Sequence, residues 1–195
     1  MVTDHRKLPR RRGEALNAAI LQATLDELSE VGYAGLTMER VAERARTGKA
    51  SVYRRWPSRM ELALDAVYHV LPDPSSPPDT GTLRGDLLAL LRHSAETLAG
   101  PAGEALRGLL SDVLTDPSRT AELRQHSHGA GRRAVAEVAR RAVERGEIPA
   151  EAVTPRRTEV AHAMLRQHFL FQGVPIPDKV IVEIVDEVLV PLFRA

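Results

Sequence analysis

The chain has no cysteine. That absence excludes disulfide staples, thiolate catalysis and cysteine-based zinc sites. Aromatic residues are scarce, at 4%, with three Phe, three Tyr and one Trp. The core must therefore be built from Leu, Ala and Val, which favours packed helices over a β-sandwich, because strands enrich β-branched and aromatic residues. No apolar run approaches the roughly 20 residues that a membrane span needs. The charged N-terminus lacks a following apolar signal core, so the expected location is cytoplasmic. Beyond the proline-rich stretch Pro72 to Gly81, strand-like alternation longer than a few residues is also missing. With 43% hydrophobic and 27% charged residues over 195 positions, the sequence specifies an all-α globular protein with room for a small module and a larger one.

Catalytic and metal signatures are equally thin, and no cofactor is expected. His126 and His128 are two apart, so a helix would point them to nearly opposite sides; His162 and His168 are off-phase too. No carboxylates align with them, so no metal site is expected. The run Gly129-Ala130-Gly131-Arg132-Arg133-Ala134 imitates a dinucleotide fingerprint but follows no apolar strand. No serine occupies a G-x-S-x-G elbow.

What the chain does have is an uneven charge. Its net charge is only +1, yet the first 60 residues hold 12 basic against 7 acidic side chains, leaving 15 basic and 19 acidic in the rest. A basic module on an acidic body suits a polyanionic partner at one end. Residues 1–12, ending in Arg10-Arg11-Arg12, read as a disordered basic arm.

A first helix is expected from about Gly13 to Val31, with Leu16, Ile20, Ala23 and Leu28 at helical spacing and Gly32 as its stop. Thr37 has the side chain of an N-cap and opens a second helix through Val41 and Ala45. A third should span Lys49 to Trp56, ended by Pro57. Ser58 and Glu61 form a capping box for a fourth. The proline-rich stretch Pro72 to Gly81 then breaks the chain. This divides it into the arm at 1–12, a module at 13–60 with a connecting helix at 61–71, and a helical body at 82–195. In that body the expected helices are Leu83 to Leu98, Glu104 to Thr115, Pro117 to Arg145 with a bend or break at Gly129 and Gly131, Pro155 to Gln172, and Asp178 to Phe193.

The stretch Thr37 to Arg59 reads as a helix-turn-helix, whose second helix fits the major groove of double-stranded DNA. Val52 and Trp56, at i and i+4, share a face that can anchor that helix on Val41 and the first helix. Lys49, Ser51, Arg54 and Arg55 fall on other faces, where Lys and Arg can donate to guanine or phosphate oxygens.

The sequence resembles the tetracycline-repressor (TetR) family of bacterial transcription regulators over about Ala15 to Val67. The resemblance lies in Gly32-Tyr33, Leu36-Thr37, Val41-Ala42, and Lys49-Ala50-Ser51-Val52-Tyr53 leading to Trp56-Pro57-Ser58-Arg59. It implies phosphate contacts from Thr37 and Tyr53, groove-facing Lys49, Ser51, Arg54 and Arg55, and a backbone clamp at Arg59. It also implies a close approach of main chain to DNA at Gly48. Arg46 departs from the family, which often has Gly there; either it adds a phosphate contact or the turn is built differently.

For the C-terminal body the resemblance implies ligand binding and dimerisation through the last two helices. An apolar stripe supports this: Ile181, Ile184, Val185, Val188, Leu189 and Leu192 on the final helix, with Phe171 on the preceding one, are the expected homodimer interface. Leu106, Leu110, Met164, His168 and Phe169 are the expected lining of a pocket for an unidentified small-molecule effector. The expected function is a ligand-responsive repressor that binds a pseudo-palindromic operator as a homodimer. The competing class is an all-helical carrier or enzyme with an incidental helix-turn-helix.

Overall fold

The computed structural model describes residues 13–195 apart from positions 72, 74, 115, 119 and 122–128. The expected arm at 1–12, His126 and His128 lie outside the described residues. Those that are described form helices and no strand.

The chain falls into two compact units. The first holds α1 (Glu14–Gly35), α2 (Met38–Arg44), α3 (Lys49–Tyr53), α4 (Arg59–Val70) and α6 (Pro101–Val113). Helix α1 breaks at Gly32, whose φ of 66° and ψ of 178° suit glycine alone. Its buried face, with Ile20, Ala23, Leu25 and Leu28, packs on α4 and α6. Helix α6 starts at Pro101, three residues earlier than expected, because proline is preorganised for the first helical position. Ala102, Ala105, Leu109 and Val113 make one buried stripe along it. That stripe packs on α1 and α4, so α6 joins the N-terminal module in space, although the proline-rich break separates them in sequence.

The second unit holds α5 (Leu83–Ala99), α7 (Ala130–Glu144), a 3₁₀ turn at Ala150–Ala152, and α8 (Pro155–Phe171). The final segment runs through α9 (Asp178–Glu183), a π-helical stretch (Ile184–Leu189) and α10 (Val190–Arg194). Thr82 and Thr154 cap α5 and α8 by accepting from the Gly85 and Arg157 N–H groups. Helix α7 begins after Gly129, which is left-handed at φ 59° and ψ 31°. A continuous α-helix was the expectation for 178–193. Pro191 has no N–H to give the Glu187 carbonyl, and the π-helical turns just before it are how the backbone absorbs that missing bond.

This packing corrects the dimer-interface expectation. Ile181, Ile184, Val185 and Leu189 are buried against α5 and α8 of their own chain, so no partner could cover them. Val188 and Leu192 are half-buried, and Phe171 is 78% exposed. The final helix spends most of its apolar stripe on its own core because its two neighbours already lie along it.

Candidate nucleic-acid interface

Thr37 opens α2 by accepting from the Arg40 N–H at 3.2 Å. The helix closes with the Arg46 N–H on the Glu43 carbonyl and the Thr47 N–H on the Ala42 carbonyl, at 3.0 and 2.9 Å. That pair of bonds requires a left-handed residue between them, and Arg46 fills the place with φ 53°. The departure noted in the sequence is thus a strained position carrying an exposed cation. Gly48 is extended, at φ −78° and ψ 143°, and a Cβ there would meet nothing within 4 Å. The fold itself does not demand glycine at this point, which leaves its lack of a side chain free for an outside approach.

Helix α3 runs from Lys49 to Tyr53, shorter than the expected Lys49 to Trp56. After Tyr53 the chain tightens, with the N–H groups of Arg55 and Trp56 sharing the Val52 carbonyl at 2.9 and 3.0 Å. Val52 is fully buried and Trp56 nearly so, as their spacing predicts. Trp56 Nε1 donates to Asp65 Oδ2 at 2.8 Å, which fixes α3 to α4. The Ser58 hydroxyl accepts from the Glu61 N–H at 3.1 Å and faces Glu61 Oε1 at 3.3 Å, the expected cap of α4.

Not every expected DNA contact faces outward. Lys49, Tyr53 and Arg54 are exposed, as are Thr37 and Arg46. Arg55 turns back: its Nε donates to Asn17 Oδ1 at 2.6 Å, and its Nη1 to the Ser51 carbonyl and hydroxyl at 2.8 and 3.0 Å. Arg55 is therefore a tie between α3 and α1, not a groove-facing side chain, and it occupies the half-buried Ser51 hydroxyl as well. Arg59 lies 4.3 Å from the Tyr33 ring centroid, with Nη1 3.4 Å from the carbonyls of Ala34 and Leu36. It holds the α1–α2 connection, so any phosphate would share this guanidinium.

Two acidic residues absent from the sequence-based site shape the surface. Glu27 is buried on α1 and receives Arg40 Nε at 2.5 Å and Arg44 Nε at 2.7 Å; Arg44 also pairs with Glu30. Burial pushes the Glu27 carboxyl up, but the hydrogen bonds and charges of Arg40 and Arg44 outweigh it and hold the group below the ordinary carboxylate range. This clamp fixes α2 on α1. Glu39, the second residue of α2, stands on the exposed face, with Oε1 3.4 Å from Lys49 Nζ. Its own backbone N–H, then the Lys49 charge and the Tyr53 hydroxyl, hold it ionised against partial desolvation. Neither residue has a local sequence signal, because each pairing crosses between helices.

The expected ligand-lining residues are divided. Leu106 and Leu110 are half-buried on α6, in the first unit. Met164 and His168 are half-buried and Phe169 fully buried on α8, in the second. Among the described residues, no group of three or more His, Asp or Glu side chains could hold a metal ion. None of the described helices is long and apolar enough to cross a membrane.

Two family models match the chain. One, described as "Bacterial regulatory proteins, tetR family", covers residues 20–66; the other, "Tetracyclin repressor-like, C-terminal domain", covers residues 77–188. An uncharacterized HTH-type transcriptional regulator of Mycobacterium tuberculosis is 34% identical over 173 residues, 88% of this chain and 85% of the relative. A DNA-binding transcriptional repressor, TetR, of Mycobacteroides abscessus is 35% identical over 189 residues, covering 94% and 96% of the two chains. The solved structure of the TetR family transcription regulator SCO0332 superposes with a TM-score of 0.75 at 32% identity, over 90% of this chain and 97% of that one.

Proposed function

The chain belongs to the TetR family and is a DNA-binding transcriptional regulator, not an enzyme, and from that premise we propose that it is a ligand-responsive repressor acting as a homodimer on a pseudo-palindromic operator. The observation that carries the reading is α3 itself. Val52 and Trp56 lock one face into the core while Lys49, Tyr53 and Arg54 stand exposed on the others. A helix so anchored enters the major groove with its first residues at the base edges, which puts Lys49 within reach of guanine. Thr37, Arg46, Tyr53 and Arg54 serve the phosphates, and Gly48 admits the backbone.

One such helix reads too few base pairs for useful affinity. Two copies, about 34 Å apart on successive turns of the duplex, read both half-sites. The exposed Phe171, with half-buried Val188 and Leu192, is the apolar surface best placed to hold them together. A small-molecule effector binding within the helical body, near Met164 and His168, would favour the conformation that releases DNA. The protein works in the cytoplasm, where its operator is. The name of the Mycobacteroides relative supports repression as the direction of control.

Gel shifts with genomic promoter fragments under salt titration test the reading. A specific repressor binds its operator roughly 10³-fold or more above random duplex. Lys49→Ala should weaken that binding about tenfold or more, and Tyr53→Phe by a smaller factor, both with unchanged thermal stability. A protein that binds all duplexes alike would be architectural, and one that binds none would be a carrier; either result rejects the proposal.

A further inference from the structure

The geometry points to Glu39 and Lys49 acting as one paired reader of a single G·C base pair; this rests on the proposal that α3 enters the groove. Lys49 is the first residue of α3, the position from which a recognition helix reaches base edges. Glu39 comes from the other helix of the motif, yet Oε1 sits 3.4 Å from Lys49 Nζ, and both side chains are open to solvent, at 47% and 63%. The two together present a donor and an acceptor side by side.

A G·C pair presents the complementary arrangement. In the major groove guanine offers O6 and N7 as acceptors, and cytosine offers its N4 amino group as a donor. O6 and N4 are hydrogen-bonded to each other within the pair, so they lie about 3 Å apart. That spacing matches the separation of Lys49 Nζ and Glu39 Oε1. Lys49 donates to O6 and N7 while Glu39 accepts from N4. A T·A pair also offers an acceptor beside a donor, but it puts a methyl group where guanine has N7, so the second bond from Lys49 is lost. Reversed pairs set the carboxylate against an acceptor, which is repulsive.

Two further arguments favour a recognition role over a structural one. An ion pair this exposed contributes little to folding, so the fold does not need it. A carboxylate on a surface that meets phosphates also opposes binding, unless a base donor receives it.

Selection of bound duplexes from a random library, using the full-length wild type, Glu39→Ala, Glu39→Gln and Lys49→Ala, tests the pairing. Thermal melts confirm that each variant folds. The wild type should enrich a G·C pair at one position of each half-site. Glu39→Ala and Lys49→Ala should flatten that same position, with preference falling about tenfold, and Glu39→Gln should lose the preference for cytosine there. Three results overturn the inference: unchanged base preferences in Glu39→Ala, a uniform rise in its affinity for every duplex, or flattening at different positions in Glu39→Ala and Lys49→Ala. A wild type that enriches no sequence would overturn the proposed function as well, which separates the two failures.

Discussion

Arg55 Nε donates to Asn17 Oδ1 at 2.6 Å, joining the end of the recognition helix to the first turns of α1 across 38 residues of sequence. A cation counted from the sequence as a base reader is instead the strut that sets the angle of α3. The same guanidinium bonds the Ser51 carbonyl and hydroxyl, so one side chain both ends α3 and docks it.

Removing either end of that strut should therefore matter. Arg55→Ala should cost about 1.5–3 kcal/mol of stability, the usual worth of hydrogen bonds to a charged group, and Asn17→Ala somewhat less. Both should weaken DNA binding without changing base preference. Denaturant melts and gel shifts measure this. An Asn17→Ala variant with full affinity, beside an Arg55→Ala variant with relaxed base preference, would return Arg55 to the groove.

Arg46 offers the opposite trade. At φ 53° it occupies a left-handed position that costs an L residue roughly 1–2 kcal/mol. Arg46→Gly should stabilise the fold by about 1 kcal/mol. If the exposed guanidinium meets a phosphate, the same change should lower affinity for all duplexes and reduce the slope of log K against log salt by about one. A rise in stability with an unchanged salt slope would leave Arg46 no DNA contact.

Packing in the second unit makes a separate prediction. A Cβ built on Gly131 would lie 2.6 Å from Cγ and Cδ2 of the His162 ring. Gly131→Ala gains up to about 1 kcal/mol in helix propensity but overpacks a rigid ring at a cost of about 1–3 kcal/mol. The net effect should be destabilising. Adding His162→Ala should make the Gly131 change neutral or favourable, a coupling a double-mutant cycle reads directly. Additive effects would show that the two sites do not touch.

His162 also sets a pH dependence. Burial, aided by the nearby Arg166 charge, lowers its pKa from 6.5 to about 4, and its Nδ1 is buried without a hydrogen-bond partner among the described residues. Between those values the unfolded chain takes up a proton that the native ring refuses, so stability falls as pH drops from about 6.5 towards 4. The carboxylates act lower. Glu27 titrates below its ordinary 4.5, and Glu137 is held at about 2, chiefly by Arg140. Their contribution is present above the ordinary carboxylate pKa and is lost as pH falls through the native values. Thermal midpoints from about pH 8 to 3 should show both declines. His162→Gln should flatten the upper one, and Glu27→Gln should weaken the lower. An unaltered profile in His162→Gln would contradict a half-buried ring held neutral by the fold.

Most of the helices were legible because their signals are local. Thr37, Ser58 and Thr154 accept from N–H groups three residues ahead, so a cap is visible in a four-residue window. Gly32 interrupts α1 and Gly146 follows the end of α7 because glycine takes a positive φ without strain. The end of α3 is not legible in the sequence because its last turn tightens at the Val52 carbonyl, which the apolar spacing of Val52 and Trp56 does not reveal. The partner of the final apolar stripe is illegible for a related reason: periodicity shows that a face is apolar and leaves open whether α5 and α8 or a second chain will cover it.

The sequence alone determined the helix-turn-helix and its anchoring face, since each follows from residues within about one helical turn, whereas the left-handed place of Arg46 was decided by the folded turn. Which cations remain for DNA was decided only in three dimensions. Glu27 takes Arg40 and Arg44, 13 and 17 residues away, and Asn17 takes Arg55. Glu39 meets Lys49 across the turn. Charges on separate helices find partners only after the core has fixed the helices against one another, and no count of arginines along the chain contains that geometry.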